Sequence, residues 1–172
     1  MRKVLVVGSG GAGKSTFARR LGGLLDIEVV HLDSLYWQAG WVETPKAKWA
    51  EMVAEAVRRD AWVMDGNYSG TLDIRLKACD TLILLDMSRL TCLRRVLRRF
   101  IRYRGRTRPD MTEGCEEQLH WEFILWIWNY PKKHRPKVLE LMREHAAGKQ
   151  MIRLRSPAEA ERYLAAVKRD AC

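Results

Sequence analysis

Gly8-Ser9-Gly10-Gly11-Ala12-Gly13-Lys14-Ser15 decides how the rest of this chain is read. It satisfies the pattern G-x-x-x-x-G-K-[ST], and its flanks supply the context that pattern needs. Before it, residues 4–7 form a short, continuous apolar and β-branched run, the mark of a strand buried on both faces in a parallel sheet. After it, residues 15–25 read as a helix with Phe17, Leu21 and Leu24 or Leu25 on one face. Phosphate groups need backbone N–H groups brought close, which glycines permit, and the helix N-terminus adds a favourable dipole. Gly8, Ser9, Gly10, Gly11, Ala12 and Gly13 are therefore expected to cradle phosphates. Lys14 supplies a point charge for the β and γ phosphates, Ser15 a hydroxyl for Mg²⁺, and Thr16 completes the nucleotide-binding set.

The same stretch also spells G-x-G-x-x-G through Gly8, Gly10 and Gly13, and Asp33 lies about where a dinucleotide-binding fold keeps its ribose carboxylate. Two features decide against that reading. A dinucleotide fold has no use for Lys14 and Ser15 just past the third glycine, and the chain leaves little room for a separate substrate domain.

Outward from this loop, strands and helices alternate. Strands are expected at 28–32, 61–64, 81–85 and 151–154, and a helix at 45–59 with Thr44 as N-cap and Pro45 at N1. Between the second strand and that helix, residues 34–41 are aromatic-rich and irregular. A long basic helix is expected at 88–104, a Pro/Gly-containing loop at 105–114, an aromatic helix at 115–130 interrupted by Pro131, and a further helix at 135–147. Ser156-Pro157-Ala158-Glu159 is a capping box that opens the last helix. The alternation predicts a three-layer α/β/α P-loop NTPase fold: a five-stranded, mostly parallel sheet with right-handed crossovers, in a single domain over 1–172 with an arginine-rich lid at about 102–115.

The 172 residues suffice for one core and not for two full domains. With 31 Lys+Arg against 21 Asp+Glu, the formal charge is +10, which favours polyanionic partners: nucleotides, phosphorylated metabolites, nucleic acid or an acidic membrane surface. No apolar run reaches the ~18 residues of a membrane span, and Met1-Arg2-Lys3 leads into a four-residue apolar run too short for a signal core. A cytoplasmic protein without a membrane partner is the expectation. Cys79, Cys92, Cys115 and Cys172 show no CxxC pairing and His31, His120, His134 and His145 no ligand pattern beside them, so the thiols are read as reduced and mostly packing.

In open α/β sheets the ligand sits beyond the carboxyl ends of the strands, and three of the expected strands stop at Asp33, Asp65 and Asp86. Asp65 is the candidate to hold Mg²⁺ or its water together with Ser15, Asp33 the candidate to contact the acceptor or metal, and Asp86 is read as a helix cap. No acidic residue lies between Asp86 and Asp110, a stretch with nine arginines, part of which is the solvated face of a helix whose apolar stripe is Leu90, Leu93, Val96, Leu97 and Phe100. Arg95 and Arg99, spaced i, i+4 at the foot of the loop, are suited to converge on a transferring phosphoryl group, and Arg106 and Arg108 to close over it. The rival reading of this stretch is a nucleic-acid surface, with Phe100 and Tyr103 interleaved among the arginines.

Taken together, these phrases resemble the adenylate-kinase-like P-loop proteins, most closely the bacterial topology modulation proteins. The resemblance rests on the glycine loop, His31-Leu32-Asp33 with Tyr36-Trp37, Asp65-Gly66-Asn67-Tyr68-Ser69-Gly70, Arg75, Arg95 with Arg99, 104–110, and Trp126-Ile127-Trp128. It implies an ATP- and Mg²⁺-dependent transfer of the γ-phosphoryl group to a small acceptor, a nucleotide or nucleoside. Lys14, Asp33, Asp65, Arg95 and Arg99 then carry catalysis, while Asp33, Tyr36, Arg75, Arg106 and Arg108 face the acceptor. A short helical arm for a monophosphate is not evident after the second strand, where residues 36–41 stand instead. A kinase of a non-nucleotide metabolite, like the gluconate or shikimate enzymes, is the alternative acceptor reading, and a nucleotide-dependent regulator that binds nucleic acid the alternative in kind.

Overall fold

The computed structural model describes residues 1–170. Cys172 lies outside them; Cys79, Cys92 and Cys115 are buried and unbridged.

Five strands build the main sheet: β1 (Lys3–Gly8), β2 (Val29–His31), β5 (Trp62–Asp65), β6 (Thr81–Leu85) and β7 (Gln150–Leu154), in the order β2-β5-β1-β6-β7. Every pairing in it is parallel. The apolar runs seen in the sequence are these strands, and because successive side chains point to opposite faces, each run serves two cores. Val4, Val6, Val63, Ile83 and Leu85 pack against α1 (Lys14–Leu25), α5 (Arg89–Tyr103), α6 (Trp121–Lys133) and α8 (Pro157–Asp170). Leu5, Val7, Met64, Leu82 and Leu84 pack against α3 (Lys46–Ala56), α4 (Leu72–Ala78) and α7 (Arg135–Glu144). The result is the expected three-layer α/β/α arrangement. β1 lies in the middle, so the glycine loop leaving it is flanked by the chain leaving β5 on one side and β6 on the other.

Several local expectations are corrected. β6 stops at Leu85 directly before Asp86 as expected and β5 takes in Asp65, but β2 stops at His31, and Asp33 sits one residue inside the single-turn helix α2 (Leu32–Tyr36). The irregular aromatic segment is a small antiparallel hairpin of β3 (Trp37–Gln38) and β4 (Val42–Glu43). Pro45, not Thr44, is the N-cap of α3. Thr44 is buried and its Oγ1 donates to the Tyr36 carbonyl at 2.7 Å, so its hydroxyl closes the base of the hairpin. Asp86 caps nothing. Ser88 caps α5, accepting from the Thr91 N–H, while Asp86 takes Arg153 at 2.6 Å and Arg135 at 3.6 Å. The aromatic helix begins at Trp121 rather than 115 and runs through Pro131 to Lys133. Proline there costs one hydrogen bond, and the helix stops two residues later. In the capping box Ser156 Oγ accepts from the Glu159 N–H as expected, but the Glu159 carboxylate reaches the N–H of Arg155.

Candidate active site

The glycine loop takes its shape from close packing as well as from free N–H groups. Gly11 lies at φ 75°, and a Cβ there would stand 2.4 Å from the Cys92 carbonyl oxygen of α5. Gly13, at φ 95°, is the N-cap of α1, so the loop turns into the helix through a left-handed residue that a side chain would strain. Asn67 pins the start of the loop from across the sheet: its Oδ1 accepts from the Gly8 N–H at 3.2 Å and its Nδ2 donates to the Gly8 carbonyl at 2.8 Å.

Lys14 Nζ donates to the carbonyls of Gly8 and Ser9, both at 3.1 Å, which holds the ammonium beneath the loop. Burial lowers its pKa, while the negative charges of Asp33 and Asp65 work the other way. Ser15 Oγ donates to Asp65 Oδ2 at 2.8 Å, and Asp65 Oδ1 meets His31 Nδ1 at 2.5 Å. The two residues expected at Mg²⁺ are thus neighbours at the loop mouth. A hydroxyl and a carboxylate are hard oxygen donors suited to Mg²⁺, which keeps its remaining positions for water and phosphate oxygen, so the residues present fit that ion. His31 is half-buried. Its desolvation disfavours the charged ring, but the bond to Asp65 and the charges of Asp65 and Asp110 outweigh this and raise its pKa.

Asp33 stands beside this pair on α2. Its Oδ1 accepts from the Tyr68 hydroxyl at 2.7 Å, and burial together with the Asp33 charge pushes the Tyr68 pKa well above the ordinary phenol value. Around Asp33 the aromatic rings form a connected wall: Tyr36 packs on Trp37, Trp49 and Tyr68, and Trp37 on Trp41, with centroids 4.7–5.4 Å apart.

Arg75 has a different place from the acceptor-facing one expected. It is fully enclosed, and its guanidinium donates to the carbonyls of Thr71, Gly66, Asn67 and Tyr68 at 2.7–3.3 Å. Burial lowers its pKa to about 10. The segment it holds includes Tyr68 at φ 27°, a strained conformation for a tyrosine, so Arg75 shapes the loop that presents Asn67 and Tyr68.

On the other flank, Arg95 Nη1 donates to the Ala12 carbonyl at 2.7 Å and lies against Gly13, which brings it onto the phosphate loop. Arg99 and Arg108 share one carboxylate. Glu117, only 4% exposed, takes Arg99 Nε at 2.8 Å and Arg108 Nε at 2.7 Å, the second a close charge contact rather than a directed hydrogen bond. Arg108 also reaches Asp110 at 3.2 Å. Burial and the adjacent Arg108 lower the Arg99 pKa. Arg106 is exposed, and its backbone carbonyl accepts from the N–H of Glu117 at 3.1 Å.

Residues 112–116 lie against α2 and the hairpin. Gly40 N–H donates to the Gly114 carbonyl at 3.1 Å, Trp41 Nε1 to the Glu116 carbonyl at 2.9 Å, and Thr112 Oγ1 to the Ser34 carbonyl at 2.8 Å. His31, Asn67, Tyr68 and Glu117 belong to the site although sequence reasoning gave them no role in it. The first three stand within the phrases that carried the resemblance, whereas Glu117 follows the basic stretch with nothing local to mark it.

The fold is that of the P-loop kinases. Over 99% of this chain and 94% of the other, the structure is similar to shikimate kinase from Acinetobacter baumannii in complex with shikimate, with TM-score 0.60 and 19% identity. It is also similar to a gluconokinase from Sinorhizobium meliloti 1021, with TM-score 0.52 and 13% identity over 99% of this chain and 89% of that one. No protein-family model and no curated protein sequence matches the chain.

Proposed function

We propose that the protein is an ATP-dependent phosphotransferase that moves the γ-phosphoryl group to a hydroxyl of a small acceptor. The observation that carries this is the seating of Ser15 against Asp65 at the mouth of a glycine loop that also holds Lys14, with Asp33 alongside. The loop N–H groups and Lys14 bind the nucleotide phosphates, and Arg95 adds charge where the transferring group passes. Ser15 with Asp65 would hold Mg²⁺, which would supply charge neutralisation for the nucleotide phosphates. Asp33 orients the acceptor hydroxyl and takes its proton as the oxygen bonds to the γ phosphorus. The bond from that phosphorus to the bridging oxygen breaks, and ADP leaves. Tyr68 fixes the carboxylate for this step, and the lid resting on the hairpin excludes water.

The acceptor reading that fits best is a nucleoside-like molecule, its ring on the Tyr36 and Trp37 wall and its hydroxyl at Asp33. Because Arg75 is committed to backbone carbonyls, it adds no grip for an acceptor's phosphate, which favours a nucleoside over a nucleotide. A hydroxy acid or polyol is the second reading, supported by the likeness of the fold to kinases named for shikimate and gluconate. The resemblance to topology modulation proteins is compatible with the same chemistry acting on a nucleotide pool.

The test is ADP formation from Mg-ATP with a panel of nucleosides, nucleotides, polyols and sugar acids, with Lys14→Ala as control. Acceptor-stimulated turnover that disappears in the variant supports the phosphotransferase and names its substrate class. ATP binding with no stimulation by any acceptor removes it and moves the protein to the nucleotide-dependent regulators.

A further inference from the structure

Away from the site, α5 and α6 pack side by side and leave large apolar side chains in solvent: Leu90, Leu97 and Ile101 on α5, and Trp121, Leu125 and Trp128 on α6. Ile101 is 76% and Trp121 69% exposed. The spacings i, i+7, i+11 on one helix and i, i+4, i+7 on the other put each set on a single face. The two faces meet where the Arg89 guanidinium lies 4.7 Å from the centre of the Trp128 ring. Every charged residue of α5 is an arginine, and the exposed Arg94 and Arg98 border the apolar row. Beside it opens a cavity of about 820 Å³, walled by Leu90 and Trp128 and lined by Arg89, Arg135, Arg153 and Arg155. Asp86, paired with Arg153 and Arg135, offsets one of those four charges.

We propose that this face docks the protein on an anionic lipid surface, with Leu97, Ile101, Trp121 and Leu125 entering the headgroup boundary and the arginine cavity taking a lipid phosphate. Aliphatic and tryptophan side chains interleaved with arginines are the composition of an interfacial amphipathic surface, and the cavity matches the other half of a lipid, a charged head next to hydrocarbon. A second copy would set the same arginines against themselves across a twofold interface. Nucleic acid would use the arginines and tryptophans but has no use for four exposed aliphatic side chains. Such a contact lies on the membrane and needs no spanning segment; among the described residues no helix is long and apolar enough to cross one.

The experiment is vesicle flotation of the full chain with phosphatidylglycerol–phosphatidylcholine mixtures and with phosphatidylcholine alone. The variants are Leu97→Gln with Ile101→Gln, and Arg94→Gln with Arg98→Gln. These are exposed positions outside the candidate active site, and circular dichroism melts confirm that the variants fold. Binding to the anionic vesicles, weak binding to the neutral ones, and roughly tenfold loss in each double variant are expected. Four outcomes overturn the proposal: no flotation, equal binding to both vesicles, loss in the arginine variant alone, or a concentration-dependent dimer that the Leu97/Ile101 variant abolishes.

Discussion

Asp33 and Asp65 are both carboxylates beside the glycine loop, yet their partners separate their work. Asp65 is bound by Ser15 and His31, and Asp33 by Tyr68. Asp33→Asn is therefore expected to lower kcat by about 10²–10⁴-fold while leaving ATP binding near the unaltered level, as steady-state kinetics would read with whichever acceptor the panel identifies. The His31–Asp65 pair makes a prediction in pH. Because the folded-state pKa of His31 is raised, the pair's contribution is full below the unfolded value of 6.5 and is lost as pH rises through the raised value. The difference in melting temperature between the unaltered protein and His31→Gln, measured without Mg²⁺, should shrink over that interval. Arg75 is a test of structure. Arg75→Met leaves up to four buried carbonyls short of a donor and is expected to cost about 2–4 kcal/mol in denaturant unfolding. At this scale the sequence was legible in placement, as in the expectation that Ser15 and Asp65 stand together. It was not legible for Arg75, because an arginine that binds a ligand and one that binds its own backbone look alike until the chain is folded.

Between elements, residues 114–116 bond to the hairpin turn at Gly40 and Trp41, and Thr112 bonds to Ser34 of α2. Trp41→Phe keeps the ring contact with Trp37 and removes the indole N–H. It is expected to leave stability within about 1 kcal/mol and to raise ATP hydrolysis in the absence of acceptor, read as ADP release. Glu117 binds α5 to the lid. Glu117→Gln removes the charge facing Arg99 and Arg108 and should cost about 3–5 kcal/mol in unfolding free energy. Element identity was readable from periodicity for the five sheet strands and the long helices. The hairpin and α2 were not, since pairs of two-residue strands and a single helical turn are too short to show a period.

For the whole molecule, a nucleotide that binds only the folded state should raise its stability by about 2.7 kcal/mol at a hundredfold excess over Kd, and Lys14→Ala should abolish that shift in a thermal melt with Mg-ATP. The amino-acid sequence by itself determined the order of the five sheet strands and the long helices, the three-layer parallel fold and the glycine loop. Each of these is written in local patterns: continuous apolar runs, helical stripes, and glycines before a lysine and a serine. Only the tertiary structure decided that His31 and Ser15 share Asp65, that Tyr68 holds Asp33, that Arg75 serves the backbone, and that Glu117 gathers Arg99 of α5 and Arg108 beyond it. These pairings join residues 9 to 50 positions apart or set a side chain on its own loop. No local pattern records them, because they arise only when a parallel sheet brings the ends of distant strands to one edge.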